Sequence, residues 1–332
     1  MRVAVVGAGS WGTTLANLLA GNGHEVILWA YEAEVAEAIN GEGVNPLYLP
    51  DRVLESALRA SSDLADVVAG AQLVVSATPC HAVRAVARRV AQSLGDARPP
   101  VVSVSKGLEP DTLETMTDVL GEVLPGCPMA ALSGPSFAQE VFDRMPTAVV
   151  AASLDPAVAE TVQQVFSTPT FRVYTGDDLI GVELGGALKN VVAIAAGILE
   201  GLGLGHNPRA ALITRGLAEM TRLGEALGAS PRTFAGLAGM GDLILTATGG
   251  LSRNRTLGCA LGGGRTLAEA LAGKRTVAEG VNTSQVAVAL ASRTGVEMPI
   301  AVEVARVLFE DKPPRQAIRD LMERELKAEI WR

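Results

Sequence analysis

The sequence predicts an α/β protein: a doubly wound, mostly parallel sheet over residues 1–179, followed by an all-helical domain over residues 180–332. Three observations predict it. Short apolar runs alternate with helical patterns through the first half, as in successive βαβ units. A glycine-rich turn stands between the first such run and the first helical pattern. After about residue 178 the β-rich runs stop and helical periodicity takes over.

Composition sets the outer bounds. A chain of 332 residues suits two domains, and 48% hydrophobic against 19% charged residues can bury a large core. Net charge is −8 with no basic run, which argues against nucleic acid as a partner. Cys80, Cys127 and Cys259 are scattered, without metal spacing or a disulfide framework, which fits a reducing cytoplasm. The longest apolar stretch, 191–199, ends at Glu200 and is short for a bilayer, so no integral membrane association is expected. A strand opens the chain, so no signal peptide is expected.

Residues 3–6, Val-Ala-Val-Val, read as a buried parallel strand. Gly7, Gly9 and Gly12 follow in G-x-G-x-x-G spacing, and a helical pattern covers 13–20. Gly7 allows a tight turn, Gly9 admits a pyrophosphate to the backbone, and Gly12 lets the helix pack on the strand. The N-terminus of that helix suits phosphate. With a second strand at 25–30, this predicts a Rossmann-type dinucleotide site. Glu32 stands where an acidic residue can hold an adenosine ribose, and reads equally as a first-turn residue of a helix over 33–39. A proline-bearing loop at 45–50 carries Tyr48.

Further strands are predicted at 73–77, 101–104, 147–151 and 170–174. Between them, helices are predicted at 81–94, at 156–166 and from 112, the last with Leu113, Met116, Val119, Leu120 and Val123 on one face. In the second half, helices are predicted at 181–201, 282–294, 299–309 and 314–326. Asn207-Pro208 and Ser230-Pro231 read as N-cap and N1 pairs, and Thr266 to Glu269 has the form of a capping box. Asp155, Asp177 and Asp178 read as caps and turns.

Ligands of open α/β sheets bind outside the carboxyl ends of the strands. By that rule the glycine turn, Thr78-Pro79, Lys106 and 134–138 converge. Lys106 follows a buried strand directly, and reads as a surface lysine or as a group facing a cofactor. Gly185 and Gly186 inside a helix cost about 1 kcal/mol each relative to alanine, so a close approach by another backbone should offset them. Lys189, between apolar runs, reads as a snorkelling side chain or as a buried cation of lowered pKa suited to general acid work. Gly239-Met240-Gly241-Asp242 brings a carboxylate that can pair with a lysine. Arg253 and Asn254 offer a fork of donors and an amide that suit phosphate; taken singly, each reads as a cap or a surface charge. Lys106, Lys189 and Arg253 together would make a positive pocket, pointing to a small anionic substrate. His24, His81 and His206 share no spacing, so no metal site or histidine triad is expected.

Taken in order, these stretches resemble the bacterial-type glycerol-3-phosphate dehydrogenases that use NAD or NADP. The matching runs are Gly-Ala-Gly-Ser-Trp-Gly-Thr (7–13), Ser-Lys-Gly-Leu-Glu (105–109) and Ser-Gly-Pro-Ser-Phe-Ala (133–138). They continue with Glu-Leu-Gly-Gly-Ala-Leu-Lys-Asn-Val (183–191), Gly-Met-Gly-Asp-Leu-Ile-Leu-Thr (239–246) and Ser-Arg-Asn-Arg (252–255). The resemblance implies hydride transfer between dihydroxyacetone phosphate and sn-glycerol 3-phosphate in a cytoplasmic, usually dimeric enzyme that supplies phospholipid synthesis. It implies Lys189 as proton donor or acceptor, with Lys106 and Asp242 beside it. Ser10, Trp11, Lys106, Ala138, Arg253, Val277 and Glu279 would contact the cofactor beside the glycines, with Tyr31 and Tyr48 at its adenosine end. Lys106, Gly134, Ser136, Lys189, Asn190, Asp242, Ser252, Arg253 and Asn254 would meet the substrate.

Two departures from the family pattern stand out. Tyr31 replaces the usual arginine or histidine, and Asn207-Pro208 replaces Asn-Thr. Tyr31 and Glu32 push towards NAD, while Arg52 beyond Tyr48 could restore NADP binding, so dual use is expected. The nearest enzyme alternative is a ketopantoate or β-hydroxyacid reductase, which would not call for the Ser-Arg-Asn-Arg phosphate clamp. A nucleotide-sensing module is the non-enzymatic one, and it would have no need of Lys189.

Overall fold

A computed structural model describes residues 1–273 and 278–329. The strands are β1 (Arg2–Val6), β2 (Glu25–Trp29), β3 (Arg59–Ser61), β4 (Leu73–Ser76), β5 (Val101–Ser103), β6 (Met129–Ser133), β7 (Thr147–Ala152) and β8 (Phe171–Gly176). Among the described residues they form one sheet in the order β3-β2-β1-β4-β5-β6-β7-β8. Among the pairings of these eight strands, only β6–β7 is antiparallel. The apolar runs are unbroken because both faces are covered. Val3 and Val5 pack with Leu15, Leu28 and Val75 on one side, and Ala4 and Val6 with Val67, Val74 and Leu120 on the other. Strand order reverses between β1 and β4, so a ligand crevice is expected at their carboxyl ends.

Several boundaries differ from the sequence reading. The first helix starts at the glycine turn itself (Ser10–Gly21), not three residues later. The helix expected from 112 is Met116–Val123, because Leu113 takes φ 66° and a Thr115–Asp118 capping box starts the helix beyond it. The helix expected to be capped by Asn207 is His206–Ala226, with Gly205 at the N-cap. The last predicted helix ends at Met322. Ser230 and Thr266 do stand at N-caps, the latter with its capping box complete.

The helical half is arranged around Leu179–Gly201, the central helix, which Asp178 caps by accepting from the Gly181 amide at 2.9 Å. At 23 residues, with an 18-residue window of mean hydropathy 1.6, it is long and apolar enough to cross a membrane, more than the 191–199 run alone suggested. It is instead the core of this half, packed against Arg253–Gly262, Asp242–Thr248, His206–Ala226 and Gly280–Thr294. Four glycines bring two helices into backbone contact. A Cβ on Gly197 or Gly201 would overlap the carbonyl of Arg255 or Cys259, and one on Gly258 or Gly262 that of Ile194 or Ile198. Leu179 and Val182 also pack on Ala131 and Ala152 of the sheet, so the two halves share apolar contact.

Candidate active site

At Gly7, Gly9 and Gly12 the turn at the end of β1 presents main chain alone. Gly7 has φ 124°, and a Cβ there would stand 2.7 Å from the Ala77 carbonyl oxygen. A Cβ on Gly12 would overlap the Gly7 carbonyl. Gly9 faces open space and sits at the N-cap of Ser10–Gly21 with no side-chain cap and no acidic residue in the first turn. The buried Trp11 Nε1 has no partner among the described residues. Free N–H groups at a helix N-terminus fit a diphosphate, so these residues suit NAD or NADP.

The 45–50 loop is tied to this turn. Asn45 Nδ2 donates to the Ala8 carbonyl and to Thr13 Oγ1, both at 2.8 Å, and Ser10 Oγ donates to the Tyr48 carbonyl at 2.5 Å. Thr14 Oγ1 donates to the Ala138 carbonyl at 3.2 Å, which brings 134–138 against the first helix. Glu32 occupies the N-cap of Ala33–Glu42 without capping it; its carboxylate instead accepts from the Tyr48 hydroxyl at 2.7 Å. Tyr31 is 77% exposed and edge-on to Trp29. The Arg52 guanidinium makes a two-point pair with Asp143, at 2.8 and 3.2 Å, so the basic group expected to reach the ribose end is engaged elsewhere.

Around Asp242 the site is made of side chains. A π-turn, Leu237–Gly241, delivers this residue, and wide turns of that kind are frequent at functional sites. The turn lies against the central helix where a Cβ on Gly185 would come 2.7 Å from the Ala238 carbonyl oxygen, the close backbone approach expected of that glycine. Gly186 gives the same room to Ser133 Oγ and the Lys106 stem. Asp242 is 1% exposed. Its Oδ1 accepts from Lys189 Nζ at 2.6 Å and its Oδ2 from Lys106 Nζ at 2.7 Å. Lys106 also donates to the Gly134 carbonyl at 2.8 Å and approaches Ser136 Oγ at 3.5 Å.

Lys189 is 5% exposed, so it does not snorkel. Its second acceptor is Thr246 Oγ1 at 2.7 Å, a residue that sequence reasoning missed. The available signal was spacing: Thr246 lies four residues after Asp242 on one helix, hence on the same face. Burial lowers the Lys189 pKa to about 8, with Lys106 and Arg253 adding to the fall and Asp242 opposing it. Burial alone would raise the Asp242 carboxyl, but the two ammonium groups hold it below the usual carboxylate range.

The third group stands at the N-terminus of Arg253–Gly262. Ser252 is buried and caps this helix, its Oγ accepting from the Arg255 amide at 3.2 Å. Arg255 is taken up by Glu200, at 2.6 and 3.0 Å. Arg253 is exposed, has no hydrogen bond or ion pair among the described residues, and its charge acts on both Lys189 and Glu279. Asn254 Nδ2 donates to Asn190 Oδ1 at 2.9 Å, and Asn190 Nδ2 to the Lys106 carbonyl at 3.2 Å. Both asparagines are thus brought to the site, with Asn190 behind the lysines. Glu279 precedes Gly280–Thr294, and its Oε1 accepts from the Cys80 amide at 3.3 Å. Val277 lies outside the described residues.

Dinucleotide cradle and buried lysine–aspartate cluster together define a two-domain, nicotinamide-dependent oxidoreductase. The family models for the N-terminus and C-terminus of NAD-dependent glycerol-3-phosphate dehydrogenase match residues 2–159 and 178–319. The chain belongs to that family. It is 60% identical to a glycerol-3-phosphate dehydrogenase (NAD(P)+) of Geobacter sulfurreducens, over 99% of both chains. A crystal structure of glycerol-3-phosphate dehydrogenase from Coxiella burnetii superposes with TM-score 0.93 at 42% identity, covering 97% of this chain and 98% of that one. A ketopantoate reductase from Ralstonia eutropha gives TM-score 0.62 at 19% identity, covering 97% of this chain and 100% of that one, a likeness of fold alone.

Proposed function

We propose that the protein interconverts dihydroxyacetone phosphate and sn-glycerol 3-phosphate with NAD(H) or NADP(H), residues 1–179 forming the dinucleotide-binding domain and 180–332 supplying most of the substrate and catalytic groups. The observation that carries this reading is the Asp242 carboxylate shared by Lys106 and Lys189, with Arg253 open beside it. Gly7, Gly9, Ser10, Trp11 and Gly12 would hold the diphosphate, and Tyr48, Ala138 and Glu279 would line the rest of the cofactor. A reduced nicotinamide bound there supplies hydride to the substrate's carbonyl carbon.

This chain's residues handle the proton and the charge. Lys189 Nζ, oriented by Asp242 and Thr246, gives its proton to the carbonyl oxygen in reduction and takes it back in oxidation. At a pKa of about 8 it is mostly protonated near neutrality yet releases its proton readily. Lys106 stabilises the developing oxyanion from a position fixed by Asp242 and Gly134. Arg253, Asn254 and the N-terminus of their helix grip the phosphate, and that remote binding energy positions the carbonyl.

NADH and NADPH oxidation, followed with dihydroxyacetone phosphate and with ketopantoate, tests the reading. Dihydroxyacetone phosphate should be turned over and ketopantoate left unchanged. The reverse would assign a ketopantoate-type reductase, and no turnover with any keto substrate would assign a sensor. On the family pattern the enzyme works as a cytoplasmic homodimer that feeds phospholipid synthesis. The three unbridged cysteines support a reducing compartment. Sedimentation equilibrium tests the dimer.

A further inference from the structure

We propose that Asn190 is a positioning residue that closes a buried hydrogen-bonded circuit between the cofactor and phosphate sides of the cleft, so that each ligand strengthens binding of the other. The proposal rests on the assignment of those two sides given above.

The circuit is traced from the carboxyl end of β5. The Lys106 carbonyl accepts from Asn190 Nδ2 at 3.2 Å, and Asn190 Oδ1 accepts from Asn254 Nδ2 at 2.9 Å. Asn254 Oδ1 accepts from the Gly280 amide at 3.0 Å. One residue back, Glu279 Oε1 accepts from the Cys80 amide at 3.3 Å, just beyond the carboxyl end of β4. Ser105 Oγ donates to the Thr78 carbonyl at 2.6 Å and closes the loop between the two strand ends. Thr78, Cys80, Asn190, Asn254 and Gly280 are all buried.

Two features make this a device rather than incidental packing. Flipping either amide would break its pairs, because Asn190 Nδ2 also reaches the Gly186 carbonyl at 3.3 Å and Asn254 Oδ1 accepts from the Gly280 amide, and a buried amide left unpaired costs about 1–3 kcal/mol. The junctions are tight as well. A Cβ on Gly280 would stand 2.7 Å from the Asn190 carbonyl oxygen and 2.8 Å from Asn254 Oδ1, and one on Gly107 would meet Cys80 Sγ at 2.6 Å. Asn254 keeps one amide N–H for a phosphate, since a primary amide carries two. A phosphate bound there fixes Asn254, and through Gly280 it fixes Glu279 and the end of β4. A dinucleotide orders the same segment from the other side. The second ligand then meets a site already ordered, which is positive coupling by shared ordering.

NADH and glycerol 3-phosphate are both reduced, so they form a ternary complex without turnover, and NADH binding can be titrated by fluorescence with and without glycerol 3-phosphate. In the wild type, glycerol 3-phosphate should tighten NADH by about 5-fold or more, the usual lower range of such coupling. Asn190→Ala should bring that factor to about 1 at saturating glycerol 3-phosphate. Ser105→Ala removes the far closure without touching either asparagine, and should lower the factor with the melting temperature preserved. Coupling retained in Asn190→Ala, or lost only together with basal NADH affinity, would overturn the proposal. If Asn190→Ala does not fold, Ser105→Ala decides: an unchanged factor rejects the circuit. Wild-type turnover of dihydroxyacetone phosphate without coupling would reject the circuit alone, whereas absence of turnover would reject the activity.

Discussion

The turn at the end of β1 offers its ligand a bare main chain, whereas the cluster around Asp242 offers side chains gathered from across the sequence. The turn needs only six consecutive residues, of which three are glycine. In the cluster, Lys106 and Lys189 stand 136 and 53 residues from the carboxylate that they share. A site made of backbone is damaged by adding atoms, and one made of side chains by removing them. Four substitutions test that contrast.

The largest effect should follow deletion in the cluster. Lys189→Ala should lower kcat by at least about 100-fold, the bottom of the range for general acid–base catalysis, with NADH binding nearly intact. A near wild-type kcat would take Lys189 out of the mechanism. The pH profile gives the same residue a second readout. Reduction needs the protonated ammonium and should fall as pH rises through about 8; oxidation needs the neutral amine and should rise through about 8. Both inflections should vanish in the variant.

Arg253→Ala should reduce kcat/KM for dihydroxyacetone phosphate by about 10- to 100-fold, mostly in KM, on the scale of hydrogen bonds to a charged group. Unphosphorylated dihydroxyacetone, a poor substrate at the outset, should lose far less. Equal losses would reassign Arg253 to the cofactor or to the fold.

Addition in the cradle gives the complementary case. Gly9→Ala places a methyl in open space, so stability should hold. Dinucleotide affinity should fall by about 1–3 kcal/mol, as for other overpacked contacts, and calorimetric titration would read it. A variant that binds normally would show that Gly9 does not meet the diphosphate. The smallest effect is expected at the rim. Tyr31→Arg should shift the ratio of NADPH to NADH affinity by about 1–2 kcal/mol towards NADPH, as a new charge-assisted contact would. With Glu32 held by Tyr48 and Arg52 held by Asp143, the wild type should lean further to NADH than the sequence suggested. Strong wild-type preference for NADPH, unmoved in the variant, would remove this position from the 2′ site.

The same contrast explains what the sequence revealed. The cradle was readable because its logic is local: a strand, three spaced glycines and a helix follow one another between Arg2 and Gly21. The Gly185 contact was inferable because glycine in a helix interior demands a reason. By contrast, β3 has three residues and no clear alternation, and Leu113 continues a helical pattern from outside the helix at φ 66°. Periodicity cannot register a single left-handed residue. Resemblance to the family brought Asp242 and Asn254 to the same site, but their partners depend on contacts that only the folded chain creates. Thr246 beside Lys189 and the Cys80 amide beside Glu279 are of that kind.

The touching helices also have a metric consequence. Lys189 rides on the central helix and Arg253 opens the helix that lies against it, and Gly197, Gly201, Gly258 and Gly262 set the two axes by contact of main-chain atoms. Main chain cannot change rotamer, so on the roles proposed above the spacing between the Lys189 and Arg253 backbones is a fixed gauge. On that reading a three-carbon substrate phosphorylated at one end would meet the gauge at a single length. A chain longer by one carbon must misplace its carbonyl or its phosphate, and a 1 Å error of that sort can cost about 100-fold in rate. Selection of substrate length would then be a property of four glycines packed between two helices.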